Sequence, residues 1–289
     1  MFADLHLHTF FSDGTYSPEQ LVLAARKHAL TAIALTDHDT VEGCMPTKLL
    51  CELAGIEFIA GVELTAELDG HELHLLGYGL DVLRADLLFE LARFQLARQD
   101  RIREMVLRLN QMNIPVEAEQ VFILANCRSP GRPHLARALL KGGFCSSYGE
   151  AFDRFLKRNR PAWAPKYKMS ALDAIALIHR NGGVAILAHP ALNQIDHGIP
   201  ELVAAGIDGI ECFHTKHSGS DQDHYLAIAQ HYGLLITGGS DCHGMSKGSP
   251  TMGQCKLPYH YVKSLKEKLA HGRNGSSCQD KGIITGVNG

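Results

Sequence analysis

Short apolar runs alternate with amphipathic stretches over the first eighty residues of the chain. Ser17-Pro18-Glu19-Gln20 opens a helix that runs to about Ala29, with a serine N-cap, proline at the first helical position and an acid in the first turn. Residues 31–36 are an apolar run of strand length that ends in Asp37-His38-Asp39. A second helix is predicted over 41–54, and a strand over 56–60 that leads into Gly61-Val62-Glu63. Residues 71–78 read as a further strand with His74 inside it. This strand–helix rhythm predicts a parallel sheet or barrel.

The period changes at about Leu83. Residues 83–112 read as one long helix and 117–158 as mostly helical, with breaks at Ser129-Pro130-Gly131-Arg132-Pro133 and at Gly142-Gly143. Pro161-Ala162-Trp163-Ala164-Pro165 reads as a linker back. The α/β rhythm resumes after Met169. Ser170 caps a helix to about Arg180, and strands are predicted over 183–188, 207–211 and 234–237. The first of these delivers His189-Pro190, and the last leads to Gly238-Gly239-Ser240-Asp241-Cys242-His243. The pattern thus divides into a discontinuous unit over 1–82 and 166–271, an all-helical insertion over 83–165, and a tail over 272–289. The tail is rich in Gly, Ser and Asn and is expected to be poorly ordered.

Composition narrows the class. The 289 residues are 45% hydrophobic and 20% charged, enough for a real core, and no apolar run reaches the roughly 18 residues of a membrane span. No secretory signal is visible at the N-terminus. Eight cysteines without a C-x-x-C pair fit reduced thiols in a cytoplasmic protein. The net charge of −3 is uneven: residues 90–168 hold 15 Lys and Arg against 7 Asp and Glu, a net of +8, which leaves −11 for the rest. A basic segment within an acidic protein suggests a surface that meets an anion.

The candidate chemistry lies in the histidines, 17 in all. His6 and His8 are two apart, a spacing that puts both imidazoles on one face of a strand. His6, His8, Asp13, His38, Glu63, His74, His189, Asp241 and His243 fall mostly at or just past predicted strand ends. In a parallel barrel those ends share one rim, where active sites are built. Each has an ordinary reading alone: His38 as a loop histidine, Glu63 as a solvated acid, His189 as a turn residue. Together they form a set that a metal cation would reconcile in both geometry and charge. Arg132, His134 and Arg137 stand at a predicted helix start, where donors on one face and the helix dipole make a phosphate cradle. Arg98 and Arg101 on the preceding helix join it, or are simply solvated. His134 could instead bind metal. Cys242 is discounted as a nucleophile, because neighbouring carboxylates raise a thiol pKa.

His6-x-His8, Ser12-Asp13-Gly14, Thr36-Asp37-His38-Asp39, Gly61-Val62-Glu63, His74, Ala188-His189-Pro190 and Ser240-Asp241-x-His243 together resemble the polymerase-and-histidinol-phosphatase (PHP) phosphoesterases. The resemblance implies a distorted seven-stranded βα barrel with two or three divalent ions. It implies one ion on His6, His8, Glu63 and Asp241, a second on Glu63, His74 and His189 with Glu63 bridging, and a third on Asp13, His38 and His243. Mixed imidazole and carboxylate donors suit Mn²⁺, with Zn²⁺ or Fe²⁺ as the other candidates. The helical insertion, with Arg98-Gln-Asp-Arg101 and Gly131-Arg132-Pro-His134-Leu-Ala-Arg137, resembles the branch that hydrolyses nucleoside 3′,5′-bisphosphates to 5′-nucleotides, some of whose members trim short RNA from the 5′ end. Substrate contacts are then expected from Asp13, Arg98, Arg101, Arg132, His134 and Arg137, with His189 and Asp241 moving protons. The alternatives are a histidinol-phosphate or other monophosphate phosphatase, which hardly needs so many arginines, and a non-catalytic metal-binding regulatory module. No motif for specific DNA binding is present.

Overall fold

In the computed structural model, residues 1–246 and 248–276 are described. The order is β1 (Phe2–Asp4), α1 (Pro18–Lys27), β2 (Leu30–Leu35), α2 (Cys44–Ala54), β3 (Glu57–Leu68), β4 (His71–Tyr78), α3 (Ala85–Gln111), α4 (Ala118–Ala125), α5 (Arg132–Lys141) and α6 (Tyr148–Ala151). A π-helical turn over Phe152–Leu156 follows. Then come β5 (Met169–Ser170), α7 (Ala171–Arg180), β6 (Val184–Leu187), α8 (Pro190–Asn193), α9 (Ile199–Ala204), β7 (Gly209–His214), α10 (Gly219–Tyr232), β8 (Leu235–Gly239), β9 (Leu257–Pro258) and α11 (Tyr259–Ser276). The expected tail from 272 therefore begins as helix, and 277–289 lie outside the described residues.

The sheet runs β8-β7-β6-β4-β3-β2-β1, with β9 outside β1 and β5 paired to β3. The Leu5 N–H donates to the Gly238 carbonyl (3.1 Å), so the seven-strand path nearly closes on itself. Gly239 allows this approach: a Cβ there would lie 2.4 Å from the His6 backbone nitrogen. All neighbours on this path are parallel except at β4, which is antiparallel to both β3 and β6. The fold is thus a distorted barrel with helical additions. Leu64, Leu75, Leu187 and Ile210 on its strands pack with Leu21, Leu177 and Ile178 from the surrounding helices.

Two strands in the N-terminal half of the chain differ from the sequence reading, besides β7, which runs to His214 rather than ending at 211. β1 stops at Asp4, and His6 and His8 follow it on extended chain, with Leu7 bridged to Cys242. β3 does not stop near Ala60 but runs to Leu68, so Glu63 lies mid-strand rather than beyond a strand end. Its ladder with β4 extends it, pairing Thr65 with His74. Because β4 runs backwards, the first half of that strand reaches the same rim as the last residues of its neighbours. This is how His74 joins the others.

The helical segment has a second core, with Ile102, Met105, Leu109, Leu135, Leu139 and Leu156 buried together. Leu87 and Leu91 at the start of α3 instead pack in the barrel core. α3 therefore belongs to both cores and sets the insertion over the rim. Arg98, on the same helix, is buried against Asp39, with Nε and Nη2 at 2.7 and 2.6 Å from Oδ2.

Candidate active site

Glu63 is almost wholly buried at the centre of the rim. Its Oε1 lies 2.6 Å from His74 Nδ1 and 3.0 Å from His189 Nε2. Its Oε2 lies 3.2 Å from His6 Nε2, His8 Nε2 and His38 Nδ1. One carboxylate thus faces two separate sets of imidazoles. Asp241 Oδ1 stands 3.1 Å from His8 Nε2 and 3.6 Å from His6 Nε2. Asp13 Oδ1 stands 3.1 Å from His243 Nε2 and 4.0 Å from His38 Nε2. All nine rim residues singled out in the sequence are therefore brought together.

Loop chemistry holds them. Asp37 accepts from Thr9 N (2.7 Å), Thr9 Oγ1 (2.5 Å) and Ser12 Oγ (2.6 Å), which folds the turn carrying Asp13 back onto the rim. Gly14 must be a glycine here, since a Cβ would lie 2.7 Å from the His8 carbonyl oxygen. Asp4 accepts from Ser240 N (2.8 Å) and so positions the segment before Asp241. His189 (φ 29°) and Asp241 (φ 50°) both adopt left-handed backbone, a strained arrangement that is held where side chains must be aimed.

The donor set fits divalent metal ions. Three groups of ligand atoms each converge within 4.8 Å: His6, His8, Glu63 and Asp241; His38, Glu63 and His74; and His8, Asp13, His38 and His243. His8 Nε2 and His38 Nδ1 are buried and close to carboxylates, yet among the described residues no hydrogen-bond alignment satisfies them. Lone pairs aimed at a common point rather than at a proton are what a metal requires. Burial opposes ionisation of Glu63 and Asp13. The imidazoles of His38 and His74 around Glu63, and of His243 and His38 around Asp13, nevertheless hold both carboxyls well below their usual range. Burial also works against a charged His8, but Asp241 and Glu63 raise it to about 9. The site therefore attracts cationic charge.

The basic residues face the same space. A cavity of about 270 Å³ is lined by Asp13, His38 and His74 of the rim and by Arg98, Arg101 and Arg132 of the helical segment. Arg98 lines it while its guanidinium is held by Asp39. Arg101 donates from Nε to the Ala164 carbonyl (2.9 Å). Arg137 donates to the main-chain oxygen of Asp13 (3.2 Å) and so pins the insertion to the turn carrying that acid. His134 Nδ1 accepts from Gly131 N (3.0 Å), capping α5, while its buried Nε2 has no hydrogen-bond partner among the described residues. His134 belongs to none of the converging ligand groups among the described residues.

Sequence reasoning missed three side chains at the rim. Glu211, fully buried, lies 3.0 Å from His6 Nδ1 and accepts from the His189 N–H (2.8 Å), orienting two of the candidate ligands. His214 Nε2 stands 3.8 Å from Asp241 Oδ2. Residues three apart on a regular strand face opposite sides, but the register of β7 shifts between Glu211 and Phe213, and this bulge turns both inward. Ending the predicted strand at residue 211 concealed His214. Lys166, from the expected linker, reaches within 3.3 Å of both Glu72 Oε1 and His74 Nε2.

A PHP domain matches residues 4–124. The 5′-3′ exoribonuclease Rnm of Escherichia coli is 32% identical over 247 residues, covering 83% of this chain and 84% of the relative. The chain belongs to the PHP family. A 3′,5′-nucleoside bisphosphate phosphatase of Chromobacterium violaceum is 30% identical, with 86% of this chain and 90% of the relative covered. A phosphoribosyl 1,2-cyclic phosphate 1,2-diphosphodiesterase of Eggerthella lenta is 31% identical, with 88% and 98% covered. A solved structure described as a metal-dependent phosphoesterase from Bifidobacterium adolescentis superposes with a TM-score of 0.85 at 32% identity, covering 91% of this chain and 94% of that one. This PHP protein is accordingly a metal-dependent phosphoesterase on a PHP barrel. Among the described residues no helix is long and apolar enough to cross a membrane, and Cys44, Cys51, Cys127, Cys145, Cys212, Cys242 and Cys255 are free thiols.

Proposed function

We propose that this PHP protein removes the 3′-phosphate from nucleoside 3′,5′-bisphosphates, such as adenosine 3′,5′-bisphosphate, and acts on short RNA from the 5′ end. The observation that carries the reading is the cavity lined by candidate metal ligands and arginines together. A substrate with two phosphates meets both the candidate ligands and the arginines, whereas a single phosphate at the ligands leaves Arg101 and Arg132 without an anion of the substrate. The names of the E. coli and C. violaceum relatives point the same way. Free thiols are in keeping with a cytoplasmic enzyme.

In this reading His6, His8, Glu63 and Asp241 would hold one ion, Glu63, His74 and His189 a second, and Asp13, His38 and His243 a third, with Mn²⁺ favoured by the mixed donors. Such ions supply Lewis-acid stabilisation of charge on the phosphoryl group. Glu63 turns Oε1 toward His74 and His189 and Oε2 toward His6 and His8, so it could contribute to both of the first two sites. Glu211 fixes the His6 ring so that Nε2 points inward. Asp241, with His214 beside it, and His189 are the groups placed to move a proton to the departing ribose oxygen. Arg101 and Arg132 hold the second phosphate. Asp13 stands where ligand wall and substrate meet, with Arg98, His134 and Arg137 supporting the substrate side.

The test is hydrolysis by the Mn²⁺-loaded protein of adenosine 3′,5′-bisphosphate against histidinol phosphate and a ribose 1,2-cyclic phosphate. Preference for the bisphosphate in kcat/KM is expected. Faster turnover of histidinol phosphate transfers the assignment to monophosphate phosphatases, and faster turnover of the cyclic ester to the phosphodiesterase activity named for the E. lenta relative.

A further inference from the structure

A second cavity, also of about 270 Å³, opens beyond the first. Glu72, Arg101, Arg132 and Lys166 line both, so the two are contiguous. Arg158, Lys168 and Trp163 line only the outer one, and Asp13, His38 and His74 only the inner one. The cations of the outer cavity are unequally engaged. Lys166 is ion-paired to Glu72 (3.3 Å) and Lys168 to Glu67 (2.5 Å). Arg101 and Arg132 donate to the carbonyls of Ala164 (2.9 Å) and Leu156 (3.3 Å). Among the described residues, none of Arg101, Arg132 and Arg158 forms an ion pair with a carboxylate. Burial, together with the charges of Arg132 and Arg98, brings the Arg101 guanidinium down to about 9. An anion among these groups relieves that crowding.

The order of the linings fixes which part of a nucleotide lies where. With the scissile 3′-phosphate at the candidate metal ligands, Arg101 and Arg132 face the 5′-phosphate. Because these two arginines line both cavities, the outer one lies beyond the 5′-phosphate, away from the reacting bond. A group seated there is attached through the 5′-phosphate. Its chemistry follows from the wall. Arg158 and Lys168 add positive charge, and Glu72, the one carboxylate of the lining, is already held by Lys166. A single phosphate on Arg101 and Arg132 leaves Arg158 for a further anion. The segment that carries Trp163 is fixed: the Trp163 carbonyl accepts from Arg108, and the Trp163 N–H donates to the Arg160 carbonyl (2.9 Å).

We infer that the outer cavity is a subsite for a second phosphate on the 5′ side, so that nucleoside 3′-phosphates carrying a 5′-di- or triphosphate are substrates as well as the 3′,5′-bisphosphates. The inference rests on the nucleotide substrate proposed above, with its 5′-phosphate on Arg101 and Arg132. The first phosphate of the 5′ chain stays on those two arginines, and the next meets Arg158 and Lys168. The reaction keeps its course. Water adds to the 3′-phosphorus, the bond from phosphorus to the ribose 3′-oxygen breaks, and that oxygen takes up a proton. Inorganic phosphate and a nucleoside 5′-di- or triphosphate leave, with the 5′ chain intact.

The test compares adenosine 3′-phosphate 5′-diphosphate with adenosine 3′,5′-bisphosphate as substrates of the Mn²⁺-loaded full chain. KM for the diphosphate is expected to be about tenfold lower, with ADP and phosphate as the products. In the Arg158→Gln, Lys168→Gln double variant, KM for the diphosphate is expected to rise about tenfold, while KM for the bisphosphate stays within about twofold. An equal or higher KM for the diphosphate in the wild type, or equal changes for both substrates in the variant, overturns the subsite. Calorimetric binding of ADP and AMP to the metal-loaded protein, free of excess Mn²⁺, reads the outer cavity without a 3′-phosphate. ADP is expected to bind about tenfold more tightly than AMP in the wild type and no more tightly in the variant. A preference for ADP that persists in the variant seats the second phosphate elsewhere and overturns the subsite. Failure of the wild type to hydrolyse the bisphosphate instead overturns the substrate reading, and the comparison of ADP with AMP still decides the outer cavity.

Discussion

The rim of the barrel and the helical insertion face each other across one cavity but are built on different principles. The rim gathers imidazoles and carboxylates from β3, β4, the segment after β1 and the loops after β2, β6 and β8, residues far apart in the chain and held within a few ångströms by a nearly closed sheet. The insertion takes its cations from α3, α5 and the segment that follows them, and it has its own apolar core. The rim requires exact placement, since ligand atoms must converge on common points. The insertion requires mainly charge and approximate reach, since a guanidinium finds a phosphate oxygen from several rotamers. At the rim a buried polar network forms around Asp37, and left-handed backbone falls on His189 and Asp241, whereas in the insertion it falls on Asn113, Asn126 and Asn159, a residue type that tolerates it.

That contrast can be broken most severely at Glu63. Glu63→Ala is expected to lower kcat by about 10³-fold or more and to remove two ions, read by metal analysis of the dialysed protein alongside turnover. A variant with wild-type metal content would show that the divided carboxylate is not a bridge. Next in size is Arg98→Met, which leaves Asp39 buried and unpaired and should cost about 3–5 kcal/mol in chemical denaturation. Retained stability would mean that α3 is held to the rim by its apolar residues alone. Glu211→Gln is expected to weaken metal binding about 10- to 100-fold, measured by competition with a chelator, with the fold intact. Unchanged affinity would make Glu211 a support for the His189 backbone only. The smallest change is expected from the insertion side. Arg132→Ala should raise KM for the bisphosphate about tenfold and that for a simple monoester much less. Equal effects on both would remove Arg132 from recognition of the second phosphate.

Reading the rim from sequence worked where a motif sits at the end of a parallel strand. His38, His189, Asp241 and His243 follow apolar runs that could only be buried strands, so their convergence could be inferred from the barrel rule. His74 was identified without the reason for its position, because nothing in 71–78 shows that the strand runs antiparallel. Glu211 and His214 were hidden for a similar cause: a bulge breaks the two-residue period on which strand-face arguments depend. On the insertion side the excess of arginines was plain in composition, but their division of labour was not. Arg98 and Arg137 hold the two regions together by binding Asp39 and the Asp13 carbonyl, while Arg101 and Arg132 stay at the cavity wall.

The sequence by itself determined the strand–helix rhythm, the helical interruption, and the residue types and spacings that point to metal-assisted phosphoester chemistry, because burial periodicity and ligand chemistry are local properties. Only the tertiary structure decided which oxygen of Glu63 faces which imidazoles, which arginines are engaged by acids and carbonyls, and that a second basic cavity with Trp163 adjoins the first. These depend on strand direction, a bulge and the seating of α3 across two cores. Such features arise from contacts between distant segments and leave no periodic mark in the chain.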